Sequence, residues 1–165
     1  DGIGKRYEEG KIYLPQLMRS AEAAKAACDV VRAAIPPSES GTEDAVVLAT
    51  VHGDIHDIGK NIVRSVLENY GFRIIDLGRD VPEQTVVDAV LKSGAKLCGL
   101  SALMTTTVPA MEQTIKLLNE QAPFCKTVVG GAVLTADYAA KIGADYYSKD
   151  AAATVRAAKE VYGRN

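Results

Sequence analysis

Apolar residues in the first part of the chain fall at Leu14, Leu17, Met18, Ala21, Ala24, Cys28, Val31 and Ile35. That spacing follows the 3.6-residue α-helical turn and predicts one amphipathic helix over Leu14–Ile35. Pro15 suits a first helical turn, and Pro36-Pro37 ends the run. The following Ser38-Glu39-Ser40-Gly41-Thr42-Glu43-Asp44 contains no apolar residue and reads as a linker. From Ala45 the pattern changes to short apolar runs at Ala45–Val51, Arg73–Leu77, Leu97–Leu100, Thr127–Val129 and Asp145–Tyr147. Helical stretches alternate with them, over Gly59–Tyr70, Pro82–Ser93, Val108–Gln121, Thr135–Ile142 and Ala151–Tyr162. Five strand–helix units with buried, β-branched strands predict an α/β domain with a five-stranded, doubly wound parallel sheet. The expected organisation is a partial helical segment over 1–36, a linker over 37–44 and the α/β domain over 45–165. Only Asp1–Tyr13 precede the first helix, too little chain to cover the apolar face of a helix about 30 Å long. The expectation is therefore a fragment of a larger protein, a helix packed on the α/β domain, or a homodimer formed through that face.

Composition narrows the function classes. The 165 residues carry 19 Lys and Arg against 21 Asp and Glu, a net charge of −2 that gives no electrostatic footprint for nucleic acid. There is no Trp and aromatic content is 5%, so platforms for stacking single-stranded bases are missing. No apolar run approaches the roughly 18–20 residues of a membrane span. Cys28, Cys98 and Cys125 are odd in number and far apart, which argues against a disulfide framework or a thiolate zinc site. A reducing, cytoplasmic setting fits this usage.

The chemistry concentrates where the first strand ends. Val46–Val51 runs directly into His52-Gly53-Asp54-Ile55-His56-Asp57-Ile58-Gly59-Lys60. In doubly wound folds this carboxyl-end position is where ligands bind. A phosphate loop is a poor match: five residues separate Gly53 from Gly59, Asn61 stands where Ser or Thr belongs, and Asp54 and Asp57 would repel phosphate. General acid–base chemistry by an Asp–His couple stays open, without a nucleophile nearby in sequence. The remaining reading is metal ligation. A neutral imidazole binds metal through one ring nitrogen while the other donates to a carboxylate. Asp54 and His56, two apart in extended backbone, can share one side. One histidine cannot hold a bare metal ion, but it can complete a metal already chelated by a tetrapyrrole or corrin. The plain alternative, a hydrogen-bonded loop histidine, also stays open. Ser101-Ala102-Leu103 after the third run and Gly130-Gly131 after the fourth face the same crevice. A glycine pair there admits a bulky planar group, or simply makes a tight turn.

Together these positions resemble a known signature. Asp54-x-His56-x-x-Gly59, 41 intervening residues, Ser101-x-Leu103, 26 intervening residues and then Gly130-Gly131 is similar to the cobalamin-binding motif. Cobalamin-dependent methionine synthases, corrinoid methyl-carrier proteins and several mutases share it. The resemblance covers Ala45 to the C-terminus and implies a Rossmann-like fold with cobalamin, and hence cobalt, as cofactor.

The resemblance also implies roles. His56 would be the lower axial metal ligand, with the cofactor's own base displaced and its nucleotide tail buried in the domain. Asp54 would hydrogen-bond the far nitrogen of His56, and Thr107 would extend that relay where the family commonly has Ser. Ser101 and Thr105 would contact the tail, and Gly59, Gly130 and Gly131 would make room for it. Ala151 would line its far side, while Gly53, Asp57, Ile58 and Leu103 belong to the same binding surface. Tyr7-Glu8-Glu9-Gly10-Lys11-Ile12-Tyr13-Leu14-Pro15-Gln16 resembles the end of the helical cap over the upper face in methionine synthases and methyl carriers. Tyr7 and Leu14 would there shield the methyl group of methylcobalamin, with Tyr7 standing where the best-known methionine synthases have Phe. Mutases normally lack this cap.

The expected function is the cobalamin module of a methionine-synthase-like methyltransferase. Such a module is incomplete as a catalyst and works with methyl-donor and methyl-acceptor modules or proteins. The first alternative is a stand-alone corrinoid protein for methyl transfer from methylamine, methanol or aryl methyl ethers. The second is a cofactor-free flavodoxin-like or receiver-type binding module, which lacks the acidic cluster a phosphoacceptor needs.

Overall fold

The computed structural model describes residues 3, 6, 7, 10–13, 15–20, 23 and 44–164. Residues 15–20 are helical, inside the predicted Leu14–Ile35 helix. Leu14, Cys28, all of the rest of that helix but residue 23, and almost all of the 37–44 linker lie outside the described residues, as does the apolar face invoked for a homodimer beyond Leu17 and Met18.

Five strands alternate with five helices: β1 (Ala45–Thr50), α1 (Ile58–Asn69), β2 (Arg73–Asp76), α2 (Glu83–Ser93), β3 (Leu97–Ser101), α3 (Val108–Gln121), β4 (Lys126–Gly130), α4 (Ala136–Lys141), β5 (Tyr146–Ser148) and α5 (Ala151–Val161). A short 3-10 turn, Thr105–Thr107, leads into α3. Every strand pairing is parallel, in the order β2-β1-β3-β4-β5. The predicted doubly wound sheet is the observed one. Strand bounds shift slightly: β3 and β4 extend through Ser101 and Gly130, and β5 begins at Tyr146. Ser101 pairs with Thr50 on one side and Gly130 on the other, so backbone pairing carries the sheet past the end of each apolar run.

Alternation along β1 assigns the two faces. Val47, Ala49 and Val51 pack with Val87, Val90, Met111 and Ile115 of α2 and α3. Val46 and Leu48 point the other way, with Leu67 of α1 and Val155 and Ala158 of α5. Since β1 lies between β2 and β3, chain connections leave it in opposite directions and open a crevice at its carboxyl end. The loops after β1 and β3 both end there. Among the described residues no helix is long and apolar enough to cross a membrane.

Candidate functional site

Asp54 is fully buried in the loop after β1. Its backbone is held by Val51, whose carbonyl accepts from Asp54 N–H at 3.0 Å, and by Asp80, whose N–H donates to the Asp54 carbonyl at 2.9 Å. Gly53, at φ 81°, makes the reversal that turns the chain inward. The carboxylate then collects donors. Oδ1 accepts from the His56 backbone N–H at 3.0 Å and lies 2.8 Å from His56 Nδ1. Oδ2 accepts from the backbone N–H groups of Leu103 at 2.7 Å and Met104 at 3.3 Å, and from the Thr107 hydroxyl at 2.9 Å.

This arrangement fixes charge and tautomer. Burial by itself pushes the Asp54 carboxyl up. Hydrogen bonds from the His56 and Leu103 backbone, the His56 ring and Thr107 outweigh it and hold the carboxyl well below the usual range. An ionised carboxylate only accepts, so Nδ1 of His56 carries the proton and Nε2 is left as the nitrogen that can bind a ligand. The His56 side chain is 46% exposed while its partner acid is sealed away.

His56 sits on a cleft of about 870 Å³ that runs between α1 and α5. Ile58, Val63 and Val66 of α1, Leu48, Gly99 and Val128 of the sheet, and Ala151 of α5 are among its walls. Ser101, Leu103, Asp57, Gly59, Gly130, Gly131 and Tyr7 also line it. Leu14 lies outside the described residues, but Leu17, one turn further on, reaches the lining. Asp54 and Thr107 are buried behind the wall, while Gly53 and, on the 3-10 turn, Thr105 are exposed outside the lining. Ile55, Ile58 and Leu103 are large, apolar and exposed beside His56, forming a collar suited to a flat apolar surface. Gly131, at φ 141°, has no space for a side chain: a Cβ would stand 1.8 Å from the Ala102 carbonyl oxygen.

Several residues escape sequence reasoning. Lys60 resembled only a poor phosphate-loop lysine, yet it is buried and its Nζ donates to Asp76 Oδ1 at 2.5 Å. Asp76 also accepts from Gly78 N–H at 2.9 Å and lies 3.3 Å from an Arg64 nitrogen, which ties the first turn of α1 to the end of β2. The backbone donors of Leu103 and Met104 carry no side-chain signal that spacing could reveal.

A family profile described as "B12 binding domain" matches residues 45–158, and a second with the same description matches residues 1–32. The chain belongs to the B12-binding family. The dimethylamine corrinoid protein 3 of Methanosarcina mazei is 40% identical over 162 residues, covering 96% of this chain and 97% of that protein. The dimethylamine corrinoid protein 1 of the same organism is 42% identical, covering 96% of this chain and 75% of the relative. Among solved structures, the methanol:cobalamin methyltransferase complex MtaBC of Methanosarcina barkeri matches with a TM-score of 0.84 and 32% identity. That match covers 99% of this chain and 63% of the other. A cobalamin-binding protein of Desulfitobacterium hafniense matches with a TM-score of 0.80 and 33% identity, over 96% of this chain and 76% of that one. Likeness to response regulators, at 14–15% identity, shows the shared fold alone.

The two Methanosarcina mazei relatives are dimethylamine corrinoid proteins and one solved neighbour is a methanol:cobalamin methyltransferase complex, which favours the carrier alternative over the methionine-synthase-like reading. Nothing among them supports a role in methionine biosynthesis. The site of this B12-binding chain also fits a corrinoid on its own evidence. Among the described residues no cluster of three or more His, Cys, Asp or Glu could hold a bare metal ion. A lone imidazole with a fixed tautomer suits a metal that brings its other ligands with it. The cleft and the close backbone approach at Gly131 supply room beside it.

Proposed function

We propose that this chain is a stand-alone corrinoid carrier in the cytoplasm, exchanging a methyl group between separate methyltransferase proteins that act on methylamines or methanol. The residues lining the cleft between α1 and α5 would hold cobalamin by its nucleotide tail, and His56 Nε2 would be the protein's ligand to its cobalt. The observation that carries this reading is the buried, multiply hydrogen-bonded Asp54 carboxylate behind a half-exposed imidazole. A bound corrinoid supplies a cobalt that accepts and releases the methyl group, and that chemistry is the cofactor's own.

The protein's part is electrostatic and geometric. Asp54 accepts a hydrogen bond from Nδ1–H, which orients the ring and leaves Nε2 as the ligating nitrogen. The Thr107 hydroxyl and the Leu103 and Met104 amides keep Asp54 ionised, so the relay ends on the β3–α3 loop. Ile55, Ile58 and Leu103, exposed beside a half-exposed ring, would exclude water from it once a corrinoid is bound. Tyr7 and Leu17 wall the same cleft from the N-terminal segment.

The test is spectroscopic. The chain is loaded with cobalamin, reduced to its paramagnetic form and examined by electron paramagnetic resonance with ordinary and isotopically labelled histidine. Imidazole ligation gives a nitrogen splitting that changes from triplet to doublet on labelling. His56→Gly retains cobalamin, loses that splitting and alters the absorption of the methylated form. Identical spectra for His56→Gly and the unsubstituted chain refute the proposal.

A further inference from the structure

A second histidine–aspartate couple lies on the other side of the His56 loop. His52 Nδ1 is 3.0 Å from Asp80 Oδ1, with both side chains more than half exposed. Asp80 belongs to the loop after β2, and among the described residues it is the single non-glycine with positive φ, at 53°. That is a left-handed backbone conformation side-chain-bearing residues rarely adopt. From that conformation one residue reaches three points of the neighbouring loop. Its N–H donates to the Asp54 carbonyl at 2.9 Å, and its Oδ1 accepts from Gly53 N–H at 2.7 Å and faces the His52 ring. On either side, Val81 N–H donates to the Thr50 carbonyl at 3.1 Å and Thr50 N–H donates to the Gly78 carbonyl at 3.0 Å.

We infer that Asp80, steadied by His52, is a positioning residue that sets the direction of the His56 ring by clamping residues 52–54 from the β2–α2 loop. The claim rests on His56 being the ligand-bearing side chain. The division of labour follows from the contacts. The β3–α3 loop holds the Asp54 carboxylate, and Asp80 holds the backbone from which that carboxylate hangs. Without the Asp80 carboxylate, the His52–Gly53 peptide unit loses its acceptor and can rotate, and Asp54 and the ring it orients move with it. As an exposed hydrogen-bonded couple it contributes little to stability. Its effect is on geometry, and groups that orient a metal ligand are worth about ten- to hundredfold in ligation.

The test uses Asp80→Ala, Asp80→Gly and Asp80→Asn in the full chain. Alanine removes the acceptor and keeps the strain, glycine removes both, and asparagine keeps an acceptor and tolerates the backbone. Two readouts are taken at fixed neutral pH: the ring-nitrogen resonances of labelled His56 without cofactor, and the imidazole splitting with cobalamin. Asp80→Ala and Asp80→Gly are expected to lose the Nδ1–H tautomer preference and to lower the ligated fraction about tenfold. Their melting temperatures should move little, and Asp80→Asn should match the unsubstituted chain in both readouts. Unchanged tautomer and ligation in the alanine and glycine variants overturn the inference. So does a loss shared by all three variants in step with a fall in melting temperature. If the unsubstituted chain binds no cobalamin, the axial-ligand reading fails, while the cofactor-free resonances still decide whether Asp80 orients the ring.

Discussion

On the α2–α3 face of the sheet, Val47, Ala49, Cys98 and Leu100 meet Val87, Val90, Met111, Ile115 and Leu118, and all of these side chains are buried. The α1–α5 face starts the same way, with Val46, Leu67, Phe72, Leu97 and Val155 closed together. Toward the carboxyl ends of the strands it does the opposite. Leu48, Gly99, Ser101, Val128 and Gly130 line an open cleft. The same strands feed both faces, so strand formation cannot explain the difference. Side-chain size can. Gly99 and Gly130 contribute no volume on the open face, and α5 begins Ala151-Ala152-Ala153 where a large residue would fill the gap. The filled face gives stability; the incompletely filled one leaves an open cleft.

The largest effect should come from erasing that difference. A Cβ at Gly99 would lie 2.6 Å from Leu48 Cδ2, so Gly99→Val drives Leu48 toward the cleft. Cobalamin retention on gel filtration should fall at least a hundredfold, about 3 kcal/mol, with the circular dichroism of the sheet preserved. Retained pink protein would mean that the cleft is not the tail site.

A smaller change should follow from untying the wall of the cleft. Burial alone raises the Asp76 carboxyl, but hydrogen bonds from Lys60 and Gly78, with the charges of Lys60 and Arg64, hold it below its ordinary value. A carboxyl depressed in the folded state stabilises the fold above its ordinary value near 3.8, and that contribution fades as pH falls through the lower folded value. Asp76→Asn should therefore cost about 2 kcal/mol in neutral urea unfolding. The deficit should close as pH drops below the carboxylate range; an equal deficit at every pH would contradict the ion-pair account.

The smallest effect belongs to the filled face. Ile115→Val removes one methylene from a fully buried side chain and should cost about 1 kcal/mol of stability. Cobalamin uptake should not change, because α3 packs on the other side of the sheet. Weakened uptake would show that the two faces are coupled.

Much of the site was legible because its spacing is local. Asp54 and His56 are two residues apart, and their position at a strand end alone locates them at the crevice. Thr107 was reachable only through the family resemblance, because the contact spans 53 residues. Lys60 paired with Asp76, and Asp80 beneath Gly53, were not legible: neither pairing follows a period, and both join loops that meet only once β2 lies beside β1. Strand ends at Ser101 and Gly130 ran past the apolar runs because backbone pairing needs no apolar side chain.

The sequence by itself determined the alternation of strands and helices, the placement of an Asp–His couple at a strand end and the small residues opposite it. Hydrophobic period and turn chemistry act over a few residues, so they can be read along the chain. The tertiary structure decided which helices flank the cleft, which backbone amides hold Asp54 ionised and which distant loop clamps the peptide before it. Those depend on strand order, a property of parallel crossovers that no short window of sequence contains.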